Sequence, residues 1–530
     1  MPNITYFDAT CYLGNWLRTL PGQPNTPEKL LAAMDHFGIH EAMVVDTVSM
    51  ATNPRAGNKR ILERVRDYPR LHPAWTTLLT HAREMPAPRD LVAQMREEGV
   101  AALYLFYKHF DLPLESFAVD DLCAALEAQR VPLFLCPNSL YVGGTDRSDW
   151  RNLVRICQTF PNLPVVVTEE RIYAGQRPLT EAMAACPNLI LDISSVWLHK
   201  KIEFICRELG AERMVWGSQM PTRTPGSPLM QLNYSDISED ELALIAGGNL
   251  RRLLSWNPKI EFVENVEFPP PEDKLHKAVR ERLPLRGEGF YDCHGHIGWT
   301  SPHHIVHETP EGLVAEMDKF GVKAGCVFCL QIVGDPPFGN DEVKTMVDQF
   351  PDRFVPFTFV NPFSGEEAML EELQRGLDLG FQGVKLMLNA YNSCSSDSPL
   401  VEVPCRFAHE HKQFILSHSW GSPERMEYLC KTYPDALFIA GHSYGTYGEL
   451  CKEIDNLYIC TCPFLNWGQT EAYVKLYGAD RILFGSDLTD LPIGWGMGQI
   501  LYARISEEDK RKILGGNLKR LMDQYGIHPR

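Results

Sequence analysis

The sequence predicts an α/β protein made of two tandem (β/α)8 barrels of the TIM type. Two matches indicate the internal repeat. The segment SEDELALIAGGNLRRLL at 238–254 recurs as SEEDKRKILGGNLKRLM at 506–522, and GAERMVWGSQMP at 210–221 recurs as GADRILFGSDLT at 478–489. A third observation, the alternation of short apolar runs with amphipathic segments, predicts a barrel within each copy.

Eight apolar runs in the second half are the predicted strands of its barrel. In chain order they are FYDCHGHIG, AGCVFCLQIV, FVPFTFVNP, GVKLMLNA, QFILSHS, LFIAGHS, LYICTCPF and RILFGSD. Segments with helical periodicity separate them, namely EGLVAEMDKF, EEAMLEELQRGLDLG, PERMEYLCKTYP and QTEAYVKLYGA. The alternative is an open doubly wound sheet, which would need a glycine-rich phosphate turn after its first strand, and the sequence has none.

The repeats set the expected domain boundaries. We expect a first barrel over residues 1–256, a linker over 257–287 and a second barrel over 288–530. The linker is placed where a triple proline and a charged helical stretch interrupt the repeat.

The charge and the cysteine pattern of the sequence exclude some classes of function. The net charge of −17 argues against a nucleic-acid or anionic-membrane surface, because both need a basic footprint. The N-terminal residues lack the pattern of a signal peptide, and the 15 cysteines are scattered without framework spacing. We therefore predict a cytoplasmic protein with reduced thiols and a small-molecule substrate. Cys326 and Cys329 form a C-x-x-C pair, but residues three apart on a strand face opposite ways, so a shared zinc ion is not expected.

Polar side chains end several strands of the second barrel. In a parallel barrel all strand ends meet on one face, where active sites lie. Three imidazoles and a carboxylate there suit a divalent transition metal, zinc first, with manganese or iron as alternatives. Taken singly, each residue also has a structural interpretation, such as a turn cap or a hydrogen-bonded histidine. The residues concerned are His294, His296, Lys385, His418, His442 and Asp487.

This pattern resembles the amidohydrolase superfamily. The resemblance lies in Asp-x-His-x-His on strand one, single histidines after strands five and six, and Gly-Ser-Asp on strand eight. The closing SEEDKRKILGGNLKRL is typical of the amidohydrolase-related branch, which includes aminocarboxymuconate-semialdehyde decarboxylase. The resemblance covers 288–525 with all its motifs and 4–256 in architecture only.

The resemblance implies roles for individual residues. His294, His296, His418 and Asp487 would be the metal ligands, with Asp487 also able to take part in catalysis. His442 would be the acid or base that handles protons. Lys385 would pair with a substrate carboxylate or a site acid, with a metal-bridging carboxylated lysine as the alternative. Weaker candidates for lining the pocket are Trp299, Asn361 and Tyr391.

The first half has lost these residues. His294 aligns with Thr10, His296 with Tyr12, Lys385 with Tyr104, His418 with Pro137, His442 with Glu170 and Asp487 with Gln219. We expect a degenerate barrel without a metal, which packs on the active one as a pseudo-dimer within one chain, with a higher oligomer as an open alternative. The other possible uses of the first half are to supply a loop to the neighbouring barrel mouth or to bind a ligand of its own. A separate site built from Glu169, Glu170 and Asp192 is an alternative, but these carboxylates have no matching histidine partners, so we expect them to be solvated or structural.

The leading functional hypothesis is a metal-dependent hydrolase of a lactone, ester, amide or cyclic imide, acting through metal-activated water. Non-oxidative decarboxylation of a small aromatic or enol-type carboxylic acid, or hydration, would use the same ligands. A non-catalytic scaffold is the alternative from another class, and the complete ligand set of the second half argues against it.

Overall fold

The computed structural model describes residues 4–15, 22–137, 148–168, 176–298, 309–329, 335–388, 394–441, 445–462 and 464–530. The chain forms two compact units, the first built mainly from residues up to Pro271 and the second mainly from Glu272 onward. Each unit contains one sheet of eight parallel strands in sequential order. The helices between the strands complete a (β/α)8 barrel in each unit, so the predicted fold class is confirmed.

The first unit contains strands β1 to β8, which are short and almost wholly buried because helices cover the sheet. The strands are β1 (Phe7–Leu13), β2 (Glu41–Asp46), β3 (Leu71–Thr76), β4 (Leu103–Leu105), β5 (Leu133–Leu135), β6 (Val165–Val167), β7 (Leu189–Asp192) and β8 (Met214–Val215). The helices are α1 (Pro27–Phe37), α2 (Thr47–Ala51), α3 (Pro54–Val65), α4 (Pro88–Glu97), α5 (Ser116–Gln129), α6 (Trp150–Thr159), α7 (Gln176–Ala185), α8 (Lys201–Leu209), α9 (Gly226–Asn233), α10 (Glu239–Ala243) and α11 (Asn249–Leu254).

The second unit repeats this order with β9 to β16, and each of the eight apolar runs predicted as strands overlaps one of them. The strands are β9 (Phe290–Ile297), β10 (Val322–Cys329), β11 (Phe354–Phe359), β12 (Gly383–Leu386), β13 (Phe414–Ser417), β14 (Leu437–Ala440), β15 (Leu457–Cys460) and β16 (Ile482–Leu483). The helices are α12 (Lys274–Arg280), α13 (Pro310–Lys319), α14 (Pro336–Val347), α15 (Glu366–Asp378), α16 (Glu402–Glu410), α17 (Pro423–Thr432), α18 (Leu450–Glu453), α19 (Gln469–Tyr477), α20 (Ile493–Leu501), α21 (Glu507–Arg511) and α22 (Asn517–Tyr525).

Backbone hydrogen bonds join the first and last strand regions of each unit. In the second unit Cys293 N donates to Phe484 O at 2.8 Å and Asp487 N donates to His294 O at 2.9 Å. In the first unit Ala9 N donates to Trp216 O at 3.0 Å and Gln219 N donates to Thr10 O at 2.8 Å. These bonds close both barrels, which excludes the open sheet.

One aspartate in each unit reinforces this closure. Asp292 accepts backbone hydrogen bonds from His294 and Ser486, both at 3.0 Å, and a third hydrogen bond from the Ser486 hydroxyl. Asp8 makes the same contacts in the first unit, with Thr10 and Ser218. The aspartate of the Asp-x-His motif therefore ties the first strand to the segment after the last one, and this structural role is the same with or without histidines.

None of the helices that the structure describes is long and apolar enough to cross a membrane.

Candidate metal centre

Three side chains of the second unit converge at the C-terminal ends of its strands. His294 and His296 lie on β9, and Asp487 follows β16. Asp487 Oδ1 lies 3.2 Å from His294 Nε2 and 3.0 Å from His296 Nε2. All three residues are buried. Within the described part of the chain they form a group whose ligand atoms lie within 4.8 Å of one another, as a metal site requires.

His418, which follows β13, extends the group. Its Nε2 lies 3.3 Å from His294 Nε2, and the two rings stack with centroids 5.1 Å apart. The structure thus brings the four residues predicted as metal ligands to one end of the barrel. Three of them form the compact group, and His418 joins it through His294.

The spacing of the donor atoms fits one small divalent ion. Metal–ligand bonds of about 2.0–2.1 Å place neighbouring ligand atoms about 2.8–3.4 Å apart in octahedral or tetrahedral geometry. The three measured separations are 3.0, 3.2 and 3.3 Å. Imidazole nitrogen and carboxylate oxygen are also the donors that zinc, manganese and iron accept. The compact group of His294, His296 and Asp487 therefore fits a metal in both spacing and chemistry, and His418 adds a further imidazole beside His294.

The electrostatics favour the unprotonated ligand forms. Burial, together with the Lys385 charge, lowers the pKa of His294 to about 3. Burial raises the pKa of Asp487, but its contacts with His294 and His296 outweigh burial and leave this pKa well below the usual range. A neutral imidazole and an ionised carboxylate are the states that bind metals.

Lys385 on β12 is buried beside this group. Its Nζ has no hydrogen-bond partner among the described residues and lies 4.2 Å from the centroid of the Phe328 ring. Phe328 also contacts both His294 and His296, with ring centroids 5.0 and 4.6 Å apart. Burial lowers the pKa of Lys385 to about 8, although the Asp487 charge raises it. A buried ammonium without an acceptor is costly, so this position suits a ligand with negative charge.

The local backbone explains why the motif after β16 is Gly-Ser-Asp. A Cβ at Gly485 would lie 2.4 Å from Cys460 Sγ and 2.8 Å from His294 Cβ, so only glycine leaves room for His294. Asp487 has a φ of 66°, a left-handed conformation that non-glycine residues adopt mainly at constrained sites. Gln219, its counterpart in the first unit, has a φ of 58°.

Several predicted residues cannot be placed in this centre. His442, Trp299 and Tyr391 lie outside the described residues. Asn361 is half-buried, and its side chain accepts a hydrogen bond from Phe363 N at 3.1 Å, which caps the turn after β11. Substrate contact by these residues stays a prediction.

The mouth of the first unit contains a hydroxyl–carboxylate network instead. Asp192 Oδ2 accepts hydrogen bonds from Thr10 and Thr168 at 2.5 Å and from Ser194 Oγ at 2.9 Å. Burial raises the pKa of Asp192, although these hydrogen bonds lower it. The carboxylate predicted to be solvated or structural is buried and structural; Glu169 and Glu170 lie outside the described residues.

Tyr104 occupies the position of Lys385 in the first unit. Its hydroxyl donates to Ala9 O at 2.7 Å, and its ring stacks on Phe134 at 4.7 Å. A neutral aromatic side chain with a backbone acceptor thus replaces the buried ammonium.

The strand register corrects one of the residue correspondences between the two halves. Lys385 pairs with Leu416 in the second unit, and Tyr104 pairs with Phe134 in the first. His418 therefore corresponds to Cys136, two residues after Phe134, and not to Pro137. The sequence alignment missed this because the apolar runs FILS and LFLC can be aligned in either of two adjacent registers.

Sequence comparisons report one family. The amidohydrolase family profile matches residues 8–256 and 291–523. No curated protein matches the chain.

Solved structures that resemble the chain include three decarboxylases. The 2,6-dihydroxybenzoate decarboxylase of Rhizobium is 18% identical, with a TM-score of 0.37 over 44% of this chain and 99% of its own. The 5-carboxyvanillate decarboxylase of Sphingomonas paucimobilis is 13% identical, with a TM-score of 0.35 over 45% and 99%. A dihydroxybenzoic acid decarboxylase of Polaromonas, solved with manganese and 2-nitroresorcinol, is 16% identical, with a TM-score of 0.36 over 44% and 97%.

Proposed function

Because the chain belongs to the amidohydrolase family of metal-dependent enzymes, we propose that its second unit binds one divalent metal ion and acts on a small carbonyl compound. The proposed ligands are His294, His296, His418 and Asp487, and zinc is the first candidate, followed by manganese and iron. When bound there, the ion would supply Lewis-acid catalysis toward a carbonyl or phenolic oxygen. The spacing of the donor atoms supports this proposal.

The substrate is proposed to carry a carboxylate. The observation that supports this is Lys385, whose buried Nζ has no acceptor among the described residues. A substrate carboxylate would supply the missing acceptor and gain a charge-assisted hydrogen bond. Phe328 forms an apolar wall beside the ammonium, which suits an aromatic or enol-type acid.

The proposed reaction is decarboxylation of that acid. Lys385 Nζ and the rings of His294 and His296 all lie against the Phe328 ring, so a carboxylate bound by Lys385 would lie beside the proposed ligands. Phe328 and the burial of Lys385 would exclude water from that carboxylate. Loss of CO2 leaves a carbanion equivalent that must take up a proton, and His442 is the predicted donor.

Hydrolysis is the second candidate, and the sequence alone ranked it first. The observation that favours it is the position of the Asp487 carboxylate among the proposed ligands, where it could accept a hydrogen bond from an attacking water molecule. In that case Lys385 would bind a carboxylate elsewhere on a lactone, ester or amide substrate.

Metal content is the first test. The wild-type protein, stripped with a chelator and titrated with zinc, should bind one equivalent per chain. We expect His294→Ala to lower the stoichiometry toward zero. Thr10→Ala, which changes the equivalent position of the first unit, is the matched control and should leave it at one. A wild-type protein that binds no zinc, manganese or iron would remove the basis of the proposal.

The reaction is tested with substrates of both classes. The metal-loaded protein is incubated with hydroxybenzoates, including 2,6-dihydroxybenzoate, and CO2 release is measured. Parallel incubations with carboxylate-bearing lactones and esters are followed by proton release. Metal-dependent CO2 release that His294→Ala abolishes supports decarboxylation, whereas metal-dependent proton release alone supports hydrolysis.

A further inference from the structure

The second ring nitrogen of His294 faces a sulfur atom. His294 Nε2 lies near Asp487 and His418, and its Nδ1 lies 3.8 Å from Cys460 Sγ. If Nε2 binds a metal, Nδ1 carries the ring hydrogen and needs an acceptor. In metal sites that acceptor is ordinarily a carboxylate, a backbone carbonyl or water, and it fixes the tautomer and the ring orientation.

The surroundings of Cys460 make its sulfur an acceptor. Cys462 N donates to Cys460 Sγ at 3.4 Å, and the Cys293 thiol lies 3.6 Å away as a further donor. Cys460 is 1% exposed, so water does not compete for the sulfur. A Cβ at Gly485 would lie 2.4 Å from this sulfur, which means that the space beside it is closed on that side as well.

The first unit makes an equivalent contact at the same strand end. Strand pairing places Asp192 at the end of β7 where Cys460 ends β15, because Asp192 pairs with Val215 and Cys460 pairs with Leu483. Asp192 accepts a hydrogen bond at 2.5 Å from Thr10, the counterpart of His294. In both units the last residue of the seventh strand therefore contacts the side chain at the ligand position of the first strand.

We propose that Cys460 is a positioning residue of the metal centre, whose Sγ accepts the Nδ1 hydrogen of His294 and so presents Nε2 to the metal. This inference rests on the metal binding proposed above. A thiol sulfur is a weak acceptor, so it orients the ring while leaving the imidazole less basic than a carboxylate partner would.

The test compares variants that differ in size and in acceptor strength. Cys460→Ala removes the sulfur acceptor and leaves a smaller side chain, Cys460→Val replaces it with a larger apolar side chain, and Cys460→Ser retains an oxygen acceptor. Cys326→Val is the matched control, since Cys326 is equally buried in the same barrel. The measurements are Co²⁺ affinity in competition with a chromophoric chelator, the Co²⁺ absorption spectrum, and the Tm of the metal-free proteins.

We expect the Val and Ala variants to bind Co²⁺ at least about 10-fold more weakly than wild type. Loss of the hydrogen-bond partner of a metal-ligating histidine typically lowers metal affinity by about 10- to 100-fold. The Ser variant should stay within about threefold with an altered spectrum, and the Cys326 control should match wild type. Wild-type affinity in Cys460→Val, or an equal loss in the Ser and Val variants, would overturn the inference. If the Val variant does not fold, the comparison of Ala with Ser decides. Wild-type protein without Co²⁺ binding would instead overturn the proposed function.

Discussion

At the scale of single residues, the two barrel-closing aspartates are buried acids with raised pKa values. Burial raises the pKa of Asp8 to about 7, although its hydrogen bonds from Ser218 and Thr10 lower it. Burial raises the pKa of Asp292 to about 7 as well. Between about pH 4 and pH 7 the folded state therefore retains a proton that an unfolded chain releases. The stability from each acid is fully present below about pH 4 and is lost as the pH rises through 7.

Asp8→Asn tests this in the unit that lacks the ligands. The amide stays neutral at every pH and can still accept the backbone hydrogen bonds. We expect the free energy of unfolding of wild type to fall by about 2–3 kcal/mol more than that of the variant between pH 5 and pH 8. Urea unfolding at both pH values measures the free energies. An equal change in the free energy of unfolding for the two proteins between pH 5 and pH 8 would show that Asp8 does not titrate in this range.

Lys385→Met removes the buried charge and keeps the side-chain length. Metal content should be unchanged, whereas KM for a carboxylate substrate should rise by about 10- to 100-fold, the loss expected for one charged hydrogen bond. Lys201→Met is the matched control, because Lys201 of the first unit is also buried and burial lowers its pKa to about 8. An unchanged KM in the Lys385 variant would argue against a carboxylate at this position.

At the scale of elements, the repeated Gly-Gly-Asn segment has a structural function in both units. Asn517 Nδ2 donates to Ala479 O at 2.8 Å and to Ile482 O at 2.9 Å, and Asn249 makes the same two bonds to Ala211 and Met214. A Cβ at Gly515 would lie 2.6 Å from Tyr291 N, so the segment between α21 and α22 packs directly on β9. The motif survives in the unit without ligands because it anchors the last helix to the barrel.

Replacement of this asparagine should destabilise each unit to a similar extent. Asn517→Ala leaves two buried carbonyl groups without their donor, at a cost of about 1–3 kcal/mol, and Asn249→Ala should cost about the same. Lys519→Ala, at an exposed position of α22, is the control and should change stability by less than about 0.5 kcal/mol. Thermal unfolding provides the comparison, and a neutral Asn517→Ala would show that the two bonds add little.

The sequence predicted the strands of the second unit, but it did not predict some side-chain contacts and one strand register. The eight strands of the second unit follow from apolar runs, and the convergence of His294, His296 and Asp487 follows from the parallel order. Nothing in the sequence distinguishes Cys460 from the other cysteines, because the last residue of one strand gives no signal of which side chain it meets across the barrel. The shift from Pro137 to Cys136 has a similar origin, since residue patterns do not fix a one-residue register in a strand buried on both faces.

At the scale of the whole molecule, the two units share one framework and differ in their mouths. The first has a hydroxyl–carboxylate network around Asp192, and the second has the donor set of a metal. A bound ion stabilises only the folded state that binds it, by about 2.7 kcal/mol at one hundred times the dissociation constant.

Zinc should therefore protect only the second unit. We expect hydrogen–deuterium exchange to slow in peptides that contain β9, β13 and the segment after β16 when zinc is added to the stripped protein. The corresponding peptides of the first unit, with β1, β5 and the segment after β8, serve as the internal control. Equal protection of both sets would indicate a metal site in the first unit as well.

The aspartate–serine tie between the first strand and the segment after the last has an evolutionary consequence. Since Asp8 and Ser218 tie the first barrel without any histidine, loss of the ligands in a duplicated gene leaves this closure in place. Because this tie does not depend on the metal ligands, the first unit is suited to the design of a new metal site. The substitutions Thr10→His, Tyr12→His and Gln219→Asp would be made in a backbone that already has the left-handed conformation at residue 219.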